Sequence, residues 1–229
     1  MSSVAENIAE IRNNIAAALS GDDRAVLLVA ATKMNDASRV REAIAAGVDG
    51  CGENKVQEFL EKDALGAYDG CPKHFIGRLQ TNKVNKIVGK VALIQSVDSA
   101  ELLRRIDRRA AELGLVQDVL IEISVAGEAQ KSGIPRSALP ELLEIASCCG
   151  NLRVRGLMCV PPVQEVPGQN RPYFAAMHQL FIDNSGKKYD NVSMDFLSMG
   201  MTDDYEDAVA AGANMVRVGS AIFGRRLYT

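Results

Sequence analysis

The sequence predicts an α/β protein that forms a single (β/α)8 TIM barrel with an extra N-terminal helix. Eight short runs rich in Val, Ile and Leu alternate with helical patterns across the 229 residues, which is the order of elements in such a barrel. The runs are continuously apolar, as parallel strands buried on both faces require. A doubly wound open sheet is the alternative, but no glycine-rich fingerprint follows the first run.

An amphipathic helix is predicted before the first strand. Apolar residues recur at intervals of three and four from Val4 to Leu19, and Gly21 marks the end of the pattern. The eight predicted strands are short apolar segments, of which the second is the weakest. They cover residues 26–31, 50–52, 74–76, 92–95, 119–124, 154–158, 192–197 and 215–218.

Helical patterns separate these strands. They cover residues 37–46, 56–64, 82–88, 100–113, 137–147, 173–184 and 205–211. A short final helix is predicted near Ala221, and residues 161–172 form a loop after the sixth strand. No linker composition divides the chain, so residues 1–229 are predicted to form one domain.

Composition excludes several classes of function. With 26 basic and 29 acidic residues the net charge is −3, which argues against nucleic acid as the main partner. The two histidines have no ligand-spaced partners, so no metal site is expected. The longest apolar run, 25–31, is too short to cross a membrane, and the first residues lack a signal-peptide pattern. Five cysteines without CxxC spacing favour a reducing compartment, and we expect a cytoplasmic protein.

The carboxyl ends of the strands are where a barrel of this kind places its active site. Lys33 follows the first strand, and a partly desolvated lysine can attack a carbonyl carbon to form a Schiff base. Small residues follow strands seven and eight, at Ser198-Met199-Gly200 and Gly219-Ser220. Backbone N–H groups in such turns, together with a helix N-terminus, are typical of a phosphate site.

Arg217 lies on the last predicted strand, where a charged side chain needs a partner. A Schiff-base lysine, a phosphate cradle and an inward arginine together indicate pyridoxal 5′-phosphate, with the arginine facing the ring nitrogen. Alternatives stay open for each residue. Lys33 can begin a solvated loop, the glycines can serve tight turns, and Arg217 can reach solvent along the outside of the barrel.

Other residues near the strand ends have more ordinary interpretations. Glu53 and Asp98 are interpreted as exposed loop carboxylates. His74 begins a strand, where packing or capping is the commoner role. Met199 is a residue type that more often fills a core than contacts a ligand.

Seven segments spread over the chain carry a resemblance to one family. They are 31–33, 52–54 with 56–58, 74–77 with 79–83, 131–134, 155–158, 197–201 with 203–204, and 216–224. In these segments the chain resembles the pyridoxal phosphate homeostasis proteins, which are related to the barrel domain of alanine racemase. The resemblance implies a pyridoxal phosphate-binding regulator of vitamin B6 and amino-acid balance, without a well-established reaction and with no catalytic residue to assign.

The resemblance also implies a role for each matching residue. Lys33 would hold the cofactor as a Schiff base and Arg217 would face the pyridine nitrogen. The phosphate would be bound, partly through backbone, by Ser198, Met199, Gly219 and Ser220. The cofactor cavity would be lined by Asn54 and His74.

The sequence departs from the family pattern at two places. Met34-Asn35-Asp36 stands where a second lysine and a proline are common, and Lys55 stands where a tyrosine is common. We expect the first departure to affect handling or release of the cofactor. Neither departure removes a proposed anchor.

Three functions compete at this stage. A binding protein that stores, buffers or delivers the cofactor, with pyridoxal phosphate-dependent apoenzymes as candidate recipients, is favoured. An amino-acid racemase is disfavoured because the barrel takes up the chain, whereas alanine racemase draws a catalytic tyrosine from a second domain. A cofactor-free Schiff-base lyase acting on a sugar phosphate would be colourless. A barrel buries its own core, so we expect a monomer.

Overall fold

Eight parallel strands close into a barrel in the computed structural model, which describes residues 3–126, 132–164, 166–187 and 189–224. The barrel strands are β1 (Leu27–Ala31), β2 (Gly50–Glu53), β3 (Lys73–Phe75), β4 (Leu93–Val97), β5 (Gln117–Ser124), β7 (Leu152–Met158), β8 (Val192–Ser198) and β9 (Met215–Val218). Strand β1 pairs with β9 and β4 pairs with β5, so each of these strands has two neighbours. All eight predicted strands are confirmed.

A two-residue strand, β6 (Ile134–Pro135), was not predicted from the sequence. It pairs in parallel with the end of β5, outside the ring formed by the other strands. This pairing holds the chain next to the carboxyl end of β5, and the adjacent residue Ser132 thereby reaches the mouth of the barrel.

Helices surround the strands in the order that the sequence predicts. They are α1 (Val4–Leu19), α2 (Ala37–Ala45), α3 (Val56–Ala64), α4 (Ala100–Glu112), α5 (Leu139–Ser147), α6 (Arg171–Ser185), α7 (Tyr205–Ala210) and α8 (Ser220–Phe223). The α-helix predicted over 82–88 is wrong, because the chain forms a 3-10 helix over Thr81–Lys86. No side chain caps its first turn, and so short a run gains little from α-helical hydrogen bonds.

The extra N-terminal helix α1 begins with a capping box. Ser3 Oγ accepts from the Glu6 N–H at 3.2 Å, and Glu6 Oε2 accepts from the Ser3 N–H at 2.7 Å. Its buried face of Val4, Ile8, Ile11 and Ile15 packs against α2, α7 and α8. The helix therefore covers the outside of the barrel where its first and last strands meet.

The barrel interior changes character from one end to the other. Apolar side chains of Val29, Leu93, Leu120, Met158 and Met215 form one buried cluster inside the barrel. Polar side chains replace them toward the carboxyl ends, where a cavity opens. Apolar packing thus supports the floor beneath the candidate site, as expected for the filled core of this fold.

Candidate functional site

A cavity of about 340 Å³ lies at the carboxyl ends of the barrel strands. Its apolar wall includes Ala31, Ile76 and Met201. Its polar lining comes from residues at the ends of several strands: Lys33, Asn54, Arg78, Glu122, Ser132 and Arg217. Three of the residues predicted from the sequence, Lys33, Asn54 and Arg217, are thus brought to one place.

Lys33 is half-buried two residues after the end of β1. The three residues that follow it, which depart from the family pattern, make local contacts that shape this turn. Met34 has a positive φ of 60°, and its N–H donates to Glu58 Oε2 at 2.8 Å. Asn35 Nδ2 donates to the Lys33 carbonyl at 3.1 Å, and Asp36 caps α2 through its side chain. The substituted segment therefore has its own means of holding Lys33 in place.

A buried ion pair lies directly behind Lys33 and Asn54. The interpretation of Glu53 as an exposed carboxylate is wrong, because its side chain is only 1% exposed. Glu53 Oε2 lies 2.6 Å from Lys62 Nζ. Lys62 Nζ also donates to the carbonyl of Thr32 at 2.8 Å, and Glu53 Oε1 accepts from the Asn54 N–H at 2.9 Å. The pair ties the ends of β1 and β2 together. Lys62 was not predicted from the sequence. The only signal was its position three residues after Phe59, on the buried face of α3.

Asn54 presents an unsatisfied oxygen at the cavity. Its Oδ1 is buried and has no hydrogen-bond partner among the described residues. A buried amide oxygen without a donor is costly, so this atom is suited to a ligand that brings a donor. Its backbone is closely held, because a Cβ on Gly77 would lie 2.1 Å from the Asn54 carbonyl oxygen.

A chain of buried hydrogen bonds crosses the barrel beneath the cavity. Arg217 Nη1 donates to Ser198 Oγ at 2.6 Å, Ser198 Oγ donates to Gln95 Oε1 at 2.7 Å, and Gln95 Nε2 lies 2.9 Å from His74 Nδ1. Burial lowers the pKa of His74 to about 4, so the ring is neutral at pH 7. With His74 Nδ1 assigned as the acceptor of the Gln95 N–H, each hydrogen bond of this series has one donor and one acceptor.

The structure therefore places two predicted site residues in supporting positions. His74 and Ser198 are buried below the cavity, where they orient the guanidinium of Arg217. Gln95 links them, and sequence reasoning missed it. The signal that remained was a pair of adjacent polar residues, Gln95 and Ser96, in a strand whose other residues are apolar.

Arg217 is a buried cation with neutral partners. It is 4% exposed, and Nη2 donates to the Cys159 carbonyl at 2.8 Å. Among the residues that the structure describes it forms no ion pair with a carboxylate. Burial lowers its pKa below the ordinary value, but a guanidinium stays protonated at physiological pH. A ligand with an acceptor atom would satisfy it.

Glu122 brings a carboxyl group to the cavity, and it was not predicted from the sequence. Burial raises its pKa, and Ser132 Oγ donates to its Oε1 at 2.5 Å. The negative charge of Asp98 raises the pKa further, while Arg217 and Arg78 lower it. A carboxyl group with a raised pKa in a cleft is suited to holding or accepting a proton.

The loops after β8 and β9 form the rim where a phosphate site was predicted. The N–H groups of Gly219 and Ala221 both donate to Thr202 Oγ1, at 3.3 and 3.4 Å. Gly219 packs against Ala31, which lines the cavity, and Ser220 is exposed at the start of α8. Two N–H groups thus converge on one oxygen atom beside the cavity.

Met199 differs in environment from the other predicted phosphate ligands. Its side chain is buried in the core between the strands and helices, and its N–H donates to the Met215 carbonyl at 3.1 Å. Thr202, three residues later, instead supplies the hydroxyl to which the rim N–H groups donate. Lys131, within one of the family-like segments, lies outside the described residues.

A basic groove of about 300 Å³ continues from the cavity. It shares Asn54 and Arg78 with the cavity and carries Lys55, Lys83 and Lys86. Positive charge is therefore concentrated at this mouth of the barrel although the chain as a whole is acidic. Such a mouth attracts anionic ligands.

Two kinds of feature are absent from the described part of the chain. There, no group of three or more His, Cys, Asp or Glu side chains is placed to hold a metal ion. Among the same residues, no helix is long and apolar enough to cross a membrane.

Comparisons with known proteins identify the family of this chain. Residues 1–226 match the family model described as alanine racemase, N-terminal domain. The chain is 45% identical over 202 residues to the pyridoxal phosphate homeostasis protein of Aquifex aeolicus, covering 88% of this chain and 87% of that protein. It is 41% identical over 233 residues to the protein of that name in Pseudomonas aeruginosa, covering 100% and 98%.

Solved structures show the same barrel. PipY of Synechococcus elongatus PCC7942, solved with PLP bound, has a TM-score of 0.82 at 32% identity and covers 97% of this chain and 100% of its own. Alanine racemase of Clostridium difficile 630 has a TM-score of 0.74 at 17% identity over 96% of this chain and 57% of its own, which shows the fold. From the family match and these full-length relatives, the chain belongs to the alanine racemase N-terminal domain family and, within it, to the pyridoxal phosphate homeostasis proteins.

Proposed function

We propose that this protein binds pyridoxal 5′-phosphate in the cavity at the carboxyl ends of the strands, as a Schiff base on Lys33. The observation that carries the proposal is the meeting of three groups in one cavity. They are the Lys33 amine, the Asn54 oxygen and the Arg217 cation, of which the last two have, among the described residues, no hydrogen-bond donor and no carboxylate respectively. The names of the relatives and the PLP-bound PipY structure support the same cofactor.

Each residue has a distinct role in binding. When bound, pyridoxal phosphate supplies an aldehyde that condenses reversibly with primary amines and releases water. Lys33 provides the amine, and Asn54 offers an acceptor to the cofactor or to a water beside it. Arg217 faces the ring nitrogen as a donor. Ser198 and His74 act through Arg217, since the buried chain of hydrogen bonds orients its guanidinium.

The phosphate group is proposed to bind at the rim formed by the loops after β8 and β9. Ser220 offers a backbone N–H group there, and the Gly219 N–H, which donates to Thr202 Oγ1 in this structure, would turn to a phosphate oxygen instead. Met199 contributes by holding the loop in place, because its side chain anchors the turn in the outer core. Oxygen atoms of a phosphate suit donors that already converge on one oxygen.

We infer that the protein carries the cofactor and maintains its supply, and that it does not turn over an amino-acid substrate rapidly. A permanently protonated Arg217 keeps the ring nitrogen unprotonated, which weakens the cofactor as an electron sink. We also propose that the protein is a cytoplasmic monomer and that it delivers cofactor to pyridoxal phosphate-dependent apoenzymes. The basic groove beside the cavity supports cofactor binding, since its positive charge draws anionic vitamers toward the mouth of the barrel.

A visible absorption spectrum tests the cofactor and its anchor. Purified protein is incubated with pyridoxal phosphate, desalted and measured before and after borohydride reduction, followed by peptide mass mapping. We expect a yellow protein whose reduced adduct maps to Lys33. The variant Lys33→Ala should stay colourless, while Lys90→Ala, which changes an exposed lysine, should match the wild type.

Other outcomes separate the competing functions. A protein that remains colourless with added pyridoxal phosphate contradicts the proposal, and borohydride trapping of a sugar phosphate on Lys33 would then favour the lyase. Rapid conversion of L-alanine to D-alanine by the yellow protein would contradict carriage and favour a racemase. Transfer of cofactor to an added apoenzyme, measured by recovered activity of that enzyme, supports delivery.

A further inference from the structure

Two cysteines lie side by side at β2, the strand that Asn54 follows. Cys51 is on β2, and Cys71 is in the loop before β3, with their Sγ atoms 3.8 Å apart. Both are reduced, Cys51 is 1% exposed and Cys71 is half-buried. A disulfide bond of about 2.05 Å would require the two sulfur atoms to approach by roughly another 1.8 Å.

The segment that carries Cys71 has room to make this movement. It follows an exposed turn at Asp69 and Gly70, and Gly70 has a φ of 79° with no other atom within 4 Å of the Cβ position. The backbone is held on both sides, because the Cys51 N–H donates to the Pro72 carbonyl at 2.9 Å and the Cys71 N–H donates to the Tyr68 carbonyl at 3.0 Å. The two sulfur atoms therefore approach each other through rotation of the cysteine side chains and a small shift at Gly70.

The hydrogen bond between the thiols makes them chemically unequal. Cys51 donates its S–H to Cys71 Sγ, which lowers the pKa of Cys71. The same hydrogen bond raises the pKa of Cys51, and burial raises it further. Because the thiolate is the nucleophile, the more accessible sulfur is also the more reactive one.

We propose that Cys51 and Cys71 form an oxidation site that reacts with hydroperoxides and closes to an intramolecular disulfide. The Cys71 thiolate attacks the terminal peroxide oxygen, the O–O bond breaks, and the alcohol or water leaves after taking a proton from solvent. Cys71 is then a sulfenic acid. Cys51 attacks the Cys71 sulfur, the S–O bond breaks, and water leaves with the Cys51 proton. Two electrons lost by the thiols reduce the peroxide.

Thiol counting after peroxide treatment tests this site. The purified protein is treated with a small excess of hydrogen peroxide, unfolded, alkylated and mapped by mass spectrometry without reductant. We expect the number of alkylated thiols to fall from five to three and a peptide pair joined through Cys51 and Cys71 to appear. Dithiothreitol should restore all five.

Variants assign each step to one sulfur. In Cys51→Ala, Cys71 should stop at the sulfenic acid and be trapped by dimedone. In Cys71→Ser, a mild change at a half-buried position, Cys51 should remain alkylatable after peroxide. The control Cys148→Ala, at an exposed cysteine, should still lose two thiols. The proposal is overturned by a wild-type protein whose Cys51 stays a thiol while Cys71 gains oxygen atoms. It is equally overturned by a disulfide that requires Cys148.

Discussion

The buried histidine under the candidate site makes stability depend on pH in a calculable way. His74 has a pKa of about 4 in the folded protein against 6.5 ordinarily, because burial disfavours the charged ring. The unfolded chain therefore binds a proton that the folded protein does not take up until lower pH. The stabilisation is fully present above pH 6.5 and is lost as the pH falls from 6.5 through 4.

The size of the loss follows from the two pKa values. A difference of one in pKa corresponds to about 1.4 kcal/mol, so the free energy of unfolding should lose about 3 kcal/mol between pH 7 and pH 4 through His74 alone. Protonation also removes the acceptor for Gln95 Nε2, which breaks the hydrogen-bond chain that ends at Arg217.

A matched variant isolates this contribution from the carboxyl groups that titrate in the same range. His74→Asn keeps an acceptor oxygen near the position of Nδ1 and does not titrate. Urea unfolding followed by circular dichroism, from pH 7 to pH 4, gives the free energy of unfolding of both proteins. We expect the free energy of unfolding of the wild type, relative to that of His74→Asn, to fall by about 3 kcal/mol from pH 7 to pH 4. The control His178→Gln retains His74, so its free energy of unfolding should fall between pH 7 and pH 4 as it does in the wild type.

Parallel curves for the wild type and His74→Asn would refute the reasoning. They would mean that the folded protein protonates His74 as readily as the unfolded chain does. Direct measurement of the two histidine titrations by NMR gives an independent check, since the chain has only these two.

Two further predictions concern the support of the site. Lys62→Met should lower the free energy of unfolding by about 3–5 kcal/mol, because it leaves Glu53 buried without its partner. Adding Glu53→Gln to Lys62→Met should recover part of this loss, as measured by urea unfolding. A double variant that is less stable than Lys62→Met would contradict the pairing. Gly77→Ala should weaken pyridoxal phosphate binding at least about tenfold, since a Cβ there would lie 2.1 Å from the Asn54 carbonyl oxygen. Spectroscopic titration measures this, and Gly150→Ala, where no other atom lies within 4 Å of the Cβ position, should bind like the wild type.

The eight strands were predictable because parallel strands buried on both faces need continuous apolar runs, and the runs at 26–31 and 119–124 are plain in the sequence. Boundaries shifted by up to two residues. The 3-10 helix Thr81–Lys86 was not predictable from apolar periodicity, because a run this short fits either kind of helix. Strand β6 was missed because two residues carry no period at all.

Some residues of the candidate site were predictable from the sequence and others were not. Lys33 and Arg217 were found because residues at the carboxyl ends of barrel strands converge, so position along the chain predicts position in space, whereas Asn54 was expected from the family resemblance. Glu53 was misjudged because burial of a carboxylate depends on a partner, and Lys62 lies on the helix that follows. Glu122 and Thr202 were missed because neither belongs to a motif that predicts a role on its own.

The sequence by itself determined the barrel, the end of the barrel that carries the chemistry, and the lysine and arginine placed there. Those properties depend on apolar runs and on order along the chain, which are local and readable. Only the tertiary structure decided which polar side chains pair across the barrel. The hydrogen-bond chain from Arg217 to His74 joins four different strands. The Cys51–Cys71 contact also brings together residues that are far apart in sequence. Such contacts are set by the closure and register of the strands, and no local pattern encodes them.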